Sequence, residues 1–145
     1  MGRDEDIWHL LLSENRFFSF TEIKRNLNIH SQQLTTSLRR LERQGLLIKD
    51  IQSEGNRPVN KYLGIDPNDP ELQLTIYDDH GWLWASVSWT KEDGSATIVS
   101  GLDLGEIAKY IEERNGELIL KMPEWAEVLA EKGKASYQTV KDGLF

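Results

Sequence analysis

Apolar residues in the first part of the chain recur mainly at helical spacing. Ile7, Leu10 and Leu11 share one face of a predicted first helix over about residues 4–15. A capping box at Ser19-Phe20-Thr21-Glu22, with serine as N-cap and glutamate three residues later, begins a second helix. This second helix is predicted to extend to about Leu27.

A third helix is predicted from Ser31 to the glycine at position 45. Leu34, Leu38 and Leu41 fall at i, i+4 and i+7, which gives a buried stripe. Ser31 is the predicted N-cap, and Gly45 takes the left-handed backbone that ends a helix. Only three residues separate this helix from the second, so the two form a predicted helix-turn-helix.

Strand-like patterns follow the third helix. Residues 46–52 and 59–65 flank a tip of Ser, Gly, Asn and Pro, which predicts a β-hairpin. The break Asp66-Pro67-Asn68-Asp69-Pro70 then stops any regular element, because its two prolines disfavour both helix and central strand. We therefore expect a first domain at 1–65, a linker at 66–70 and a second domain at 71–145.

The second domain alternates apolar and polar residues in several short runs. Strands are predicted at 72–77, 82–89, 96–99 and 118–120, with helices over 103–115 and from Pro123 to about Glu131. The last dozen residues are expected to be loosely held. The predicted fold class is α+β: an N-terminal domain of three helices and a β-hairpin that contains the helix-turn-helix, followed by a small antiparallel sheet with one or two helices.

Charge divides the chain more sharply than its net value of −7 suggests. Residues 1–65 hold ten Lys/Arg and eight Asp/Glu, a balance of +2, whereas residues 66–145 hold seven and sixteen, a balance of −9. The chain has no cysteine, which excludes disulfides and thiolate chemistry. No apolar run reaches the roughly 18 residues of a membrane span, and the acidic N-terminus is unlike a signal peptide. We expect a cytoplasmic protein with no membrane partner.

The stretch 31–47 resembles the recognition helix and first wing strand of the MarR and ArsR groups of transcription regulators. Its leucines lie four apart and lead into Leu41-Glu42-Arg43-Gln44-Gly45-Leu46, the Leu-Glu-x-x-Gly-Leu pattern of those groups. The resemblance covers residues 5–65. It implies a winged helix-turn-helix that binds double-stranded DNA, in a regulator of the prokaryotic type.

Independently of this resemblance, the face opposite the leucine stripe carries DNA-compatible side chains. Glutamine can pair bidentately with adenine, a threonine methyl can contact thymine, and arginines further along can reach phosphates. Recognition helix 31–44 would lie in the major groove, with the wing on the backbone or in the minor groove. The candidate DNA-binding residues are Ser31, Gln32, Gln33, Thr35, Thr36, Arg39, Arg40, Arg43, Arg57 and Lys61. The alternative is a winged-helix adaptor in a protein assembly, without DNA binding.

In the acidic half, Tyr77, Trp82 and Trp84 are a candidate dimer or ligand surface. A homodimer would read a palindromic site. A small-molecule effector is the other candidate ligand of this surface. Alternatively, these aromatics are half-buried packing in a domain whose 103–115 helix covers one sheet face.

We expect no enzymatic activity, no cofactor and no metal site. The chain lacks a Gly-rich phosphate loop, and its three histidines, His9, His30 and His80, are scattered without metal-ligand spacing.

Overall fold

The computed structural model describes residues 2–106, 111–114, 117–120 and 122–140. Two compact units divide the chain, at residues 1–67 and 68–145. No helix within the described ranges is long and apolar enough to cross a membrane.

The first unit has six elements. They are α1 (Gly2–Ser13), β1 (Phe18–Ser19), α2 (Phe20–Leu27), α3 (Ser31–Arg43), β2 (Leu47–Glu54) and β3 (Arg57–Gly64). The strands form an antiparallel sheet in the order β1-β3-β2. The sheet therefore has a third strand, β1, which enters between the first two helices.

Local hydrogen bonds determine where α2 begins and where α3 ends. The predicted capping box is confirmed, since the Glu22 amide donates to Ser19 Oγ at 3.1 Å and the Ser19 amide donates to the Glu22 carboxylate at 3.0 Å. Gly45, with φ of +72°, follows the end of α3. The amides of Gly45 and Leu46 donate to the carbonyls of Glu42 and Leu41, both at 3.0 Å, which is a Schellman motif.

The core of the first unit joins α1, α2, α3 and the sheet. Its leucine stripe on α3 is buried as predicted, at 0%, 4% and 2% exposure for Leu34, Leu38 and Leu41. The other buried apolar members of this cluster are Ile7, Leu11, Phe18, Ile23, Ile29, Leu47 and Tyr62. This burial orients α3, because the side of the helix opposite its leucines is left to solvent.

In its described residues, the second unit contains two sheets and one helix. Its elements are β4 (Gln73–Asp79), β5 (Trp82–Thr90), β6 (Ala96–Glu106), β7 (Ile111–Arg114), β8 (Glu117–Leu120), α4 (Glu124–Glu131) and β9 (Ala135–Thr139). The larger sheet has the order β6-β5-β4-β9, and β7 pairs with β8 separately. Strand β9 runs parallel to β4, whereas the other neighbouring pairs are antiparallel. Helix α4 supplies the connection before β9 and contacts both strands of that parallel pair.

The predicted fold class is wrong in both halves. The first sheet has three strands rather than a two-stranded wing alone, and the second unit has a four-stranded mixed sheet rather than a small antiparallel one. A helix over 103–115 is also wrong. Leu102 and Leu104 are buried on either side of exposed Asp103, which is strand alternation, and residues 111–114 form β7. The rest of that predicted helix, 107–110 and 115, lies outside the described residues.

Two smaller expectations are also corrected. The N-cap of α3 is His30 rather than Ser31, and its side chain makes no capping hydrogen bond. The segment 135–139, expected to be loosely held, is β9, because its backbone pairs with β4.

We expect Gly64→Ala to destabilise the first unit. A β-carbon at residue 64 would lie 2.8 Å from the backbone carbonyl carbon of Leu11, so α1 and β3 would have to separate. Overpacking of this kind costs about 1–3 kcal/mol. Denaturation of the full chain should be followed through the indole resonance of Trp8, whose Nε1 donates to the Ile65 carbonyl at 2.9 Å. Ser53→Ala, at an exposed strand position, is the control, and equal unfolding free energies for the two variants would contradict the expectation.

Candidate nucleic-acid interface

Helix α3 presents a polar face to solvent along its whole length. Gln32, Gln33, Thr35, Thr36 and Arg39 are all exposed on it. The leucines and Ser37 are buried on the other side. The face predicted from the leucine stripe is therefore the exposed face of the folded unit.

The threonine hydroxyls of this face are already used within the helix. Thr35 Oγ1 donates to the Ser31 carbonyl at 2.9 Å, and Thr36 Oγ1 donates to the Gln32 carbonyl at 3.0 Å. Each hydroxyl oxygen can still accept a hydrogen bond, and each threonine keeps a methyl group for apolar contact. Exposed Gln32 and Gln33 each carry an amide group that can both donate and accept a hydrogen bond.

A groove separates α3 from the β2–β3 hairpin. Its inner part is a cavity of about 180 Å³ lined by Phe20, Thr35, Leu38, Arg39, Glu42, Lys49, Asn60 and Tyr62. Its outer part, of about 400 Å³, shares four of these residues and extends to Arg57, Pro58 and Val59 near the hairpin tip. The groove thus joins the α3 face to the hairpin in one continuous recess.

Cationic side chains line this groove from both sides. Arg39 on α3 and Lys49 on β2 are exposed there, and Arg57 stands at the hairpin tip. Glu42 is the carboxylate among the lining residues. Burial raises the pKa of the Tyr62 hydroxyl, with a smaller contribution from the Glu42 charge, so this phenol stays neutral and keeps its proton to donate.

Arg40, one of the predicted DNA-binding residues, is held by another helix. Its guanidinium donates to both carboxylate oxygens of Asp4 on α1, at 2.8 and 3.0 Å, and to Ser37 Oγ at 3.3 Å. Hydrogen bonding to Arg40 lowers the pKa of Asp4. Arg40 therefore ties α3 to α1, and much of its charge is compensated inside the protein.

Lys61 lies on the other side of the hairpin from Lys49. Strand register sets Lys49 opposite Tyr62 and Lys61 opposite Asp50, so the two lysines project from opposite faces. Lys61 is ion-paired with Glu54. Of the predicted set, Lys61 is therefore separated from the groove, whereas Ser31 and Arg43 are exposed on α3 itself.

The hairpin also contributes Asn60 and Tyr62 to the groove, two polar residues that the predicted DNA-binding set lacks. Alternation along the two strands could have found them, because residues 49, 60 and 62 share the hairpin face that the register assigns to the groove. The sequence did not fix that register, since the tip between the strands allowed several turn lengths.

The second candidate surface, Tyr77, Trp82 and Trp84, lies in the larger sheet of the other unit. The rings of Tyr77 and Trp84 stack across β4 and β5, with centroids 4.1 Å apart and planes at 16°. Trp82, at the start of β5, is 42% exposed. The alternative placed these aromatics as packing in a domain whose sheet is covered by a helix over 103–115. The covering helix in that alternative is wrong, since the buried helical side chains Trp125, Ala126 and Leu129 belong to α4.

Within the described ranges, no group of three or more His, Asp or Glu side chains is placed to hold a metal ion together. A scan against protein-family models finds no matching family, and a search of curated proteins finds no match.

The Asp4–Arg40 ion pair predicts acid sensitivity. The folded-state pKa of Asp4 lies below its ordinary value of 3.8. The ion pair with Arg40 therefore stabilises the fold fully at pH values above 3.8. It is lost as the pH falls through the lowered pKa, since protonation removes the carboxylate that holds Arg40. Asp4→Asn should thus lower the unfolding free energy at pH 7, and its difference from the wild type should shrink on acidification.

Urea denaturation of both proteins between pH 2 and pH 7 measures this difference, because the denaturation midpoint reports the unfolding free energy when the slope is unchanged. Asp6→Asn, at an exposed position of the same helix, is the control and should show a smaller dependence. A constant difference between wild type and Asp4→Asn across this range would contradict the assignment.

Proposed function

We propose that this protein is a sequence-specific double-stranded DNA-binding transcription regulator of the prokaryotic type, whose residues 31–47 resemble the recognition helix and first wing strand of the MarR and ArsR groups. Helix α3 enters the major groove, and the β2–β3 hairpin lies along the backbone or in the minor groove. The supporting observation is the continuous exposed surface that runs from the glutamines of α3 past Arg39 to Lys49 and Arg57.

The N-terminal half of α3 supplies the base-reading groups. Gln32 and Gln33 are exposed, and a glutamine amide can pair with the N6 and N7 atoms of adenine. The hydroxyl groups of Thr35 and Thr36 donate to carbonyls of the helix. These threonines therefore contact thymine through their methyl groups or accept one hydrogen bond.

Phosphate binding falls to the cations that the fold leaves uncompensated. Arg39 forms no ion pair or hydrogen bond with any side chain in the described part of the chain, and the same holds for Arg57. Arg40 and Lys61 are already paired with Asp4 and Glu54. Arg39, Lys49 and Arg57 are therefore the principal phosphate contacts in this proposal, and Arg40 positions α3.

The acidic unit has a separate role in the proposal. One recognition helix reads only a few base pairs, so a homodimer that reads two half-sites gives the specificity a regulator needs. The unit at 68–145 mediates that association or responds to an effector in the cytoplasm. Its excess of carboxylates disfavours direct contact with phosphates.

Salt dependence of binding tests the phosphate contacts. The logarithm of affinity should fall steeply with the logarithm of salt concentration, and Arg39→Ala should flatten that slope by about 0.9 because one contact is lost. Arg40→Ala should change the slope less, because its charge is already paired. Fluorescence anisotropy with a duplex selected from a random pool measures both effects.

Lys91→Ala, which removes one exposed cation from the acidic unit, is the control and should leave the slope unchanged. A wild-type affinity for the duplex that does not change with salt concentration would contradict the proposal of DNA binding. If charge reversal at Arg39 instead abolishes capture of a protein partner without affecting duplex binding, the adaptor alternative is correct.

Substitution of Gln32 should relax sequence choice rather than weaken all binding. Gln32→Ala removes a bidentate base contact, so discrimination at one base pair should fall by about 1–3 kcal/mol. Selection from a random duplex pool followed by sequencing measures this loss at each position. Gln44→Ala, exposed at the C-terminal end of the same helix, should leave the selected motif unchanged, and an unchanged motif for Gln32→Ala as well would refute the assignment.

A further inference from the structure

One face of the four-stranded sheet holds aromatic and acidic side chains side by side. Tyr77 and Asp79 alternate along β4, and Trp82 and Trp84 alternate along β5, with Asp103 on the neighbouring β6. We call these five residues the aromatic–acidic cluster. The intervening positions of the same strands are the buried ones, Leu74, Ile76, Leu83, Ala85, Leu102 and Leu104. The cluster therefore lies on the opposite face from the unit's apolar core.

Strand register brings the five side chains next to one another. Tyr77 is opposite Trp84, Asp79 is opposite Trp82, and Asp103 is opposite Trp84 on its other side. Directly opposed side chains on antiparallel strands have β-carbons about 4.5–5.5 Å apart. Each tryptophan thus has a carboxylate as its cross-strand neighbour, and the stacked Tyr77 ring extends the aromatic surface.

Neighbouring side-chain and backbone groups hold the two carboxylates in place. The hairpin between β4 and β5 turns at His80 and Gly81, whose φ values of +50° and +90° are those of a type I′ turn, and His80 Nδ1 lies 3.0 Å from Asp79 Oδ1. On β6, the register shifts next to the Trp84–Asp103 pair, between Leu83 and Trp84, and Asp103 Oδ1 accepts the Gly105 amide at 2.8 Å. Such bulges re-aim side chains at binding sites.

This combination of groups is suited to a guanidinium. A cation over a tryptophan or tyrosine ring is attracted by the ring quadrupole, and arginine both stacks on aromatic rings and pairs with carboxylates. The charge of the surrounding unit also favours a cationic ligand, since residues 68–145 hold fifteen acidic and seven basic residues. A nucleic acid would be repelled by this excess, and a second copy of the chain carries a net charge of −7 itself.

We propose that the aromatic–acidic cluster is a docking site for an arginine-bearing peptide segment of a partner protein. The segment lies extended over the sheet face, with a guanidinium against the exposed Trp82 ring and in a charge-assisted hydrogen bond with Asp79 or Asp103. A strip of side chains spread over three strands suits an extended chain. This site is independent of DNA binding and holds whether or not the proposed function is correct.

The probe is the peptide acetyl-Gly-Arg-Gly-Arg-Gly-amide, with the citrulline peptide, its uncharged counterpart, as the comparison. Indole resonances of the full chain should be recorded during titration. We expect the Trp82 and Trp84 signals to move with the arginine peptide alone, while the buried Trp125 signal stays in place. Trp82→Ala should weaken binding about two- to fivefold, the effect of one exposed cation–π contact.

Asp79→Asn tests the carboxylate without changing the size of the side chain, and should weaken peptide binding about two- to fivefold, the effect of one exposed ion pair. Glu92→Gln removes the same charge from an exposed turn position away from the cluster and should leave affinity unchanged. Thermal unfolding of each variant checks that its fold is intact.

Three results would overturn the proposal. The first is no indole shift at millimolar peptide, and the second is equal weakening by Asp79→Asn and Glu92→Gln, which would indicate attraction by net charge alone. The third is a dimer in sedimentation that Trp82→Ala converts to a monomer, which would make a second copy the occupant.

Discussion

Burial of the α3 leucine stripe is the interaction on which the arrangement of the first unit depends. Leu34, Leu38 and Leu41 place α3 against a core that α1, α2 and the sheet share. A helix with three leucines on one side has a single way of burying them, so its polar side is fixed as the exposed one. The Schellman motif at Gly45 then reverses the chain into β2, which brings the hairpin beside that exposed side.

Elements with strong local signals were predicted well from the sequence. The Ser19–Glu22 capping box and the glycine after α3 act through hydrogen bonds within a few residues, so the local sequence is sufficient to predict them. The polar face of α3 follows from the same local periodicity. What could not be predicted is long-range: the pairing of β1 with β3, and the ion pair between Arg40 and Asp4, 36 residues apart in sequence. The function assigned to the polar face stays a prediction.

The error at 103–115 has a physical cause in ambiguous spacing. Leu104, Ile107, Ala108 and Ile111 fit one helix face, but Leu102 and Leu104 on either side of Asp103 fit strand alternation equally well. Glycines at 101 and 105, with φ of +76° and +100°, favour the strand because they allow bulges there and weaken a helix. Pairing of this segment with β5 decides between the two patterns, and that long-range pairing cannot be predicted from the local sequence.

Local pairing, rather than net charge, determines which cations of this acidic chain are suited to bind a phosphate. At physiological ionic strength the Debye length is about 8 Å, so an exposed side chain responds mainly to its immediate neighbours. By that criterion the arginines of α3 are unequal: Arg40 already has a bidentate carboxylate, whereas Arg39 faces a groove with Lys49 on its far wall. Sequence alone ranks these two adjacent arginines as equivalent, and the fold separates them into one residue that positions the helix and one suited to contact a ligand.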